Sequence, residues 1–202
     1  MQNVSSSSIA IKLQQLFSLF QKGQVKLVLK ELKPLLISAS DNVDVMHLAA
    51  MAYKADGDID KAISYFNSAL KINDNQSQVH NNIANTYKQI SNSKLAELHY
   101  NKAIKLHPQY VDAIKNLGLL YLQDKKLTQA KECFLRVLNL SKNNISALTS
   151  LGNIYKAEHD FVAAIAYYKQ ALSVNPRYVN ALHNLGIAYR MTGDFSAAIK
   201  CF

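Results

Sequence analysis

The sequence predicts an all-α protein, an array of antiparallel helix pairs repeated along the chain as a solenoid. Three observations predict it. First, small and large residues recur every three or four positions from Ile145 to Tyr178 (Leu148, Leu151, Gly152, Tyr155, then Ala164, Tyr168, Ala171), the period of two short amphipathic helices joined by a turn. Second, the pattern returns every 34 residues without insertion or deletion. One step back stand Leu117, Gly118, Tyr121, Ala130 and Phe134, then Ile83, Ala84, Tyr87, Ala96 and Tyr100, then Ala49, Ala50, Tyr53, Ala62 and Phe66; one step forward stand Leu185, Gly186, Tyr189, Ala198 and Phe202. Third, the six glycines occupy two repeat positions, Gly118, Gly152 and Gly186 on the eighth and Gly23, Gly57 and Gly193 on the fifteenth. No stretch alternates with the period of a strand. A lone helix pair leaves one apolar side open, and stacked neighbours cover it.

A 34-residue period with this spacing is the signature of the tetratricopeptide repeat, and the chain resembles that family from Val43 to Phe202. The resemblance implies a right-handed superhelix of antiparallel helix pairs. The family's first landmark is often Trp; here Met46, His80, Ile114, Leu148 and Leu182 stand in its place, mostly apolar, which keeps the packing role. Gly152 and Ala164, one small residue per helix, are expected where the two backbones come closest, with Tyr155 and Tyr168 on either side.

In chain order, residues 1–8 read as a polar, disordered leader containing Ser5 to Ser8. Residues 9–42 read as a degenerate N-terminal repeat. Its second half fits, with Gly23 at the turn and Val25, Val28, Leu29, Leu32 and Leu36 on one face, whereas Leu13, Leu16, Phe17 and Phe20 form a rotated face on the first helix. A first helix without a preceding neighbour is expected to diverge. Pro34 is expected to kink or end the second helix. The repeats then follow as 43–76, 77–110, 111–144, 145–178 and a partial 179–202. Asp56-Gly57, Ser91-Asn92, Asp124-Lys125, His159-Asp160 and Gly193-Asp194 suit the turns inside them, and Pro108 and Pro176 suit the ends of second helices.

Composition narrows the function classes. The formal charge is +9, from 23 Lys and Arg against 14 Asp and Glu, yet no basic run exceeds Lys125-Lys126. A nucleic-acid binder usually clusters its charge, so nucleic acid is not the expected partner. Hydrophobic residues make up 49%, and no apolar run approaches the roughly 18 residues of a membrane span. No membrane is expected, and with no signal-like N-terminus the expected location is cytoplasmic. Cys133 and Cys201 share one repeat position two repeats apart, too far for a disulfide, and are expected reduced.

Catalytic patterns are missing: there is no glycine-rich phosphate loop, no Gly-x-Ser-x-Gly elbow and no Cys-x-x-Cys. The six histidines sit at scattered repeat positions, and His47 and His183, which share one, lie four repeats apart. Asp56, Asp58 and Asp60 straddle a helix start, where negative charge is favourable. No enzyme, cofactor or metal is expected within these residues.

The resemblance implies that certain positions of each first helix face an inner groove. On those positions stand Lys54, Asn82, Asn85, Lys88, Lys115, Asn116, Asn153, Lys156, His183, Asn184 and Arg190. Asn side chains offer a donor and an acceptor to the backbone of an extended peptide. Lysines above them favour acidic groups. A two-carboxylate clamp of the co-chaperone kind is met in part by Asn81, Asn85 and Asn116, but Ser146 and Ser150 replace its final cations, so that reading is rejected. The asparagine row is similar to the repeat regions of O-linked N-acetylglucosamine transferases and related bacterial enzymes. The expected function is a protein-interaction module binding an extended peptide or partner helix, with acidic groups favoured. The alternative is the substrate-recruiting N-terminal region of a larger glycosyltransferase or sulfotransferase whose catalytic domain lies outside these residues. Because the sequence stops at Phe202, inside a second helix, the last repeat is expected to be uncapped and to fray or self-associate, as part of a longer array or enzyme.

Overall fold

The computed structural model describes residues 6–201, and among these there are twelve α-helices and no strand. They are α1 (Ser6–Gln21), α2 (Val25–Ser38), α3 (Val43–Asp56), α4 (Ile59–Ile72), α5 (Ser77–Gln89), α6 (Ser93–Leu106), α7 (Val111–Gln123), α8 (Leu127–Leu140), α9 (Ile145–Ala157), α10 (Phe161–Val174), α11 (Val179–Met191) and α12 (Phe195–Ile199). None is long and apolar enough to cross a membrane.

The chain divides into two compact units, Met1–Pro108 and Gln109–Phe202. Within the first, α1 packs on α2, α3 on α4 and α5 on α6; α2 meets α3, α4 meets α5, and the first helices touch one another, α1 on α3 and α3 on α5. The second unit repeats the scheme with α7 on α8, α9 on α10 and α11 on α12, and α9 touches α11.

The core of the four pairs from α3–α4 to α9–α10 is built from residues too small to hold the helices apart and one ring that fills the gap. Ala62, Ala96, Ala130 and Ala164 are fully buried on the second helices, and so are Phe66, Tyr100, Phe134 and Tyr168 one turn further on. Over Gly152 lies the ring of Tyr168, where an added Cβ would stand 2.5 Å from Cε1. Tyr155 stacks instead on Tyr167, with ring centroids 5.4 Å apart. The small residue thus makes room for a ring from the opposite helix.

Each turn inside a pair reverses through one residue in the left-handed region, at Gly57 and Gly193 but also at Ser91, Lys125 and His159, with φ of 59, 59 and 62°. The next residues then cap the second helices: Asp58, Asn92, Asp160 and Asp194 accept from Lys61, Leu95, Ala163 and Ala197 backbone N–H groups. Asp58 also takes the Lys61 ammonium at 2.7 Å, and these bonds hold its carboxyl below the usual range. The acidic run at Asp56 to Asp60 serves a helix start. A non-glycine residue held left-handed costs about 1–2 kcal/mol, partly offset by the chain entropy a glycine would lose. Lys125→Gly is therefore expected to stabilise the protein by about 0.5–1 kcal/mol, read as a higher urea midpoint.

Two features differ from the sequence-based expectation. Of the two outcomes expected at Pro34, a kink or an end, the end does not occur: α2 continues to Ser38. Leu32 and Leu35 are buried on either side of the proline and hold the helix together across the missing hydrogen bond. Helix α1 begins at Ser6, so the end of the stretch expected to be disordered is helical, while residues 1–5 lie outside the described residues.

Candidate functional groove

The first helices of unit 1 border an open pocket of about 290 Å³. Phe20 comes from α1, Met51, Lys54 and Ala55 from α3, Phe66 from α4, and Asn82 and Gln89 from α5. Its floor is apolar, with Phe66 fully buried and the His47 ring tilted against it at 5.9 Å. Asn82 crosses from α5 to α3: its Nδ2 donates to His47 Nε2 at 2.8 Å and lies 3.6 Å from Met51 Sδ. Accepting at Nε2, His47 is neutral with its proton on Nδ1, and burial lowers its pKa although Asp44 pulls it up.

Two cations stand at this site: Lys54 lines the pocket, and Lys88 on α5 lies near enough for its charge to act on Lys54. Lys54 and Lys88 are half-buried, and neither ammonium group has a hydrogen-bond or ion-pair partner among the described residues. Burial lowers the pKa of both, and the Lys88 charge lowers that of Lys54 further. Two desolvated ammonium groups repelling each other beside an apolar floor attract an anion.

The other sequence candidates fall into different settings. Asn85 and Asn153 each accept from a buried tyrosine of their own repeat, Tyr100 Oη at 2.6 Å and Tyr168 Oη at 2.7 Å. Burial raises both phenols, and the asparagine carbonyls are committed to them. In unit 2, Lys115 pairs with Asp112 of its own helix at 2.6 Å, so its charge is balanced. Lys156 donates to Asn184 Oδ1 at 2.6 Å, and Asn184 Nδ2 donates to the Asn180 carbonyl at 2.9 Å. Asn116 is half-buried on α7, while His183 and Arg190 are exposed on α11. The expected row thus separates into a pocket in unit 1 (Lys54 and Asn82, with Lys88 beside it), two internal hydrogen bonds (Asn85 and Asn153), and residues on the first helices of unit 2, where Lys115 and Lys156 are paired.

Sequence reasoning missed two sets. Phe20 and Phe66 read only as apolar packing positions, Met51 and Gln89 stand on groove-facing repeat positions but outside the expected row, and a ring floor beneath polar groove residues carries no linear signal. The other is a histidine pair. His80 is fully buried on α5, its Nδ1 2.9 Å from Nδ1 of His99 on α6 and its Nε2 3.0 Å from the Asp74 carbonyl oxygen. Among the described residues no group of three or more His, Cys, Asp or Glu could hold a metal ion. Cys133 and Cys201 are free thiols, and burial raises that of Cys133 to about 11, which leaves it unreactive.

Helix pairs that recur with a 34-residue period, four of them closed by small residues packed under an aromatic ring, define a helical-repeat protein. Models of the tetratricopeptide repeat match residues 43–76 and 77–110, residues 99–132 and residues 144–202. Together they cover well over half of the sequence, and the chain belongs to the tetratricopeptide-repeat family. No curated protein matches the sequence. Among solved structures, the PilF protein of Pseudomonas aeruginosa is similar with a TM-score of 0.86 and 22% identity, over 95% of this chain and 87% of that one. PilW, a type IV pilus biogenesis factor, gives a TM-score of 0.85 at 18% identity over 98% and 91%. YrrB, described as a tetratricopeptide-repeat protein with an unusual peptide-binding site, gives 0.70 at 16% over 84% and 88%. At these identities the likeness is one of fold.

Proposed function

We propose that this chain is a protein-interaction module and that the groove on the first helices of unit 1 takes an extended peptide or partner helix bearing acidic groups. The observation that carries the reading is the pair Lys54 and Lys88, half-buried and repelling each other where Lys54 lines an apolar pocket, with no acidic partner for either ammonium among the described residues. An apolar side chain of the ligand fills the space between Phe20, Met51 and Phe66. A neighbouring carboxylate meets the two ammonium groups, and Asn82 offers its remaining amide capacity to the ligand backbone. The peptide-binding site in the name of YrrB supports this class of function for the shared fold. No observation on this chain favours the transferase reading.

Partners captured by the intact chain test the proposal. Lys54→Gln and Lys88→Gln are each expected to weaken binding two- to five-fold, by about 0.5–1 kcal/mol, at low salt and less at high salt, because the half-buried charges act in part through solvent, where salt screens them. Asn82→Ala is expected to weaken it at every salt concentration. Lys71→Ala and Glu132→Ala, exposed on the second helices α4 and α8, are expected to leave it unchanged. Groove variants that bind like wild type while those on the second helices abolish binding would overturn the reading.

A further inference from the structure

The repeat from 77 to 110 differs from its neighbours at one buried point. Where His80 stands, other repeats have Met46, Ile114 and Leu148, and where His99 stands they have Tyr65, Cys133 and Tyr167. Only here do two imidazoles meet across a helix pair among the described residues.

Their protons can be placed. The Asp74 carbonyl oxygen 3.0 Å from His80 Nε2 only accepts, so Nε2 carries the His80 proton. Nδ1 of His80 is then a lone pair, and His99 donates to it from its own Nδ1 across 2.9 Å. One proton joins the two rings. A proton added to Nδ1 of His80 would face the N–H of His99, donor against donor, inside a site where His80 has no exposure. The groups acting on the pair are few. From the segment joining α4 to α5, the Asp74 carboxylate lies 3.2 Å from His80 Nε2. From α6, Lys102 lies 3.4 Å from the same carboxylate, and from α5 the Tyr87 ring stacks on His99 at 5.7 Å.

We infer that the His80–His99 pair is an acid-triggered latch: a first proton taken at His99 Nε2 leaves the shared hydrogen bond in place, and a second, which must go to His80 Nδ1, breaks it and frees α5 from α6. Since α5 also carries Asn82 and Lys88, and resting on the groove reading above, opening the latch releases the groove's ligand. Burial lowers the pKa of both rings, and for His99, with repulsion from His80 added, down to about 4. An unfolded histidine titrates near 6.5, well above that value. The folded pair therefore favours the neutral rings. The latch is fully closed above about pH 6.5 and its contribution is lost as pH falls from there towards about 4.

Hydrogen exchange on the full chain tests this. After correction for intrinsic rates, amides of α5 and α6 are expected to lose protection by up to about tenfold per pH unit and per proton between pH 7 and 5. Amides of α9 and α10, where Leu148 and Tyr167 occupy the two positions, are the internal control and should change little. The double variant His80→Leu, His99→Tyr takes those residues and is expected to abolish the difference. Should that variant fail to fold, imidazole NMR titration of the wild type reads the same question. Equal pH responses in the two helix pairs, or both rings titrating near 6.5, would overturn the latch. A latch that opens while a groove ligand stays bound would count against the groove reading instead.

Discussion

Gly152→Ala should destabilise the protein by about 1–2 kcal/mol and Gly152→Leu by about 3 kcal/mol, although either residue would favour a helix over glycine by up to ~1 kcal/mol. The added Cβ would lie 2.5, 2.7 and 2.9 Å from three atoms of the Tyr168 ring, where carbon atoms need about 3.5–4 Å. That ring has nowhere to go: it is fully buried and its hydroxyl is tied to Asn153. The equivalent Gly118 gives the control. Its Cβ would meet Cys133 Cβ and Phe134 Cζ at 3.0 Å and Phe134 Cε1 at 3.1 Å, against 2.5 Å for the shortest contact at Gly152, so a shift of a few tenths of an ångström relieves it. Gly118→Ala is expected to stay within about 1 kcal/mol of neutral. Urea denaturation compares the two, and a larger loss at Gly118 than at Gly152 would show that the Tyr168 contact is not the constraint.

How far the sequence reveals the molecule depends on how local each signal is. Helix periodicity, turn residues and the repeat register are carried by neighbours three or four positions apart, so the helices and their pairing are legible. Pro34 shows the limit of a local rule. Its intrinsic cost is real, but burial of Leu32 and Leu35 on both sides outweighs it, and burial is a property of the stack. His80 was legible only as one polar residue at an otherwise apolar landmark. Its partner stands on the next helix at a position that elsewhere holds Tyr or Cys, so the pair exists only once α5 and α6 are folded together. The groove residues follow the same logic. Asn82 and Asn85 look alike in the sequence, one helical turn apart. The fold sends Asn82 to His47 on the neighbouring first helix and Asn85 inward to Tyr100.

That inward bond did leave a signal. In the repeats with Tyr100 and Tyr168, the ninth position is Asn85 and Asn153; in those with Phe66 and Phe134 it is Met51 and Leu119. Asparagine accompanies the phenol and an apolar residue accompanies the plain ring, as a buried hydroxyl requires. Asn153→Leu is therefore expected to cost about 1–3 kcal/mol, because Tyr168 Oη loses its acceptor while the ring stays fully buried. Tyr168→Phe alone should cost about 0.5–1.5 kcal/mol, since the asparagine it strands is exposed and can turn to water. The double variant recreates the Leu119 and Phe134 pair of the preceding repeat and should return close to wild-type stability, because an apolar pair has no polar group left to satisfy. A double-mutant cycle by urea denaturation measures the coupling directly. Additive losses, with the double variant as damaged as the two single changes together, would mean that the hydroxyl and the asparagine do not depend on each other and that the alternation along the repeats has another cause.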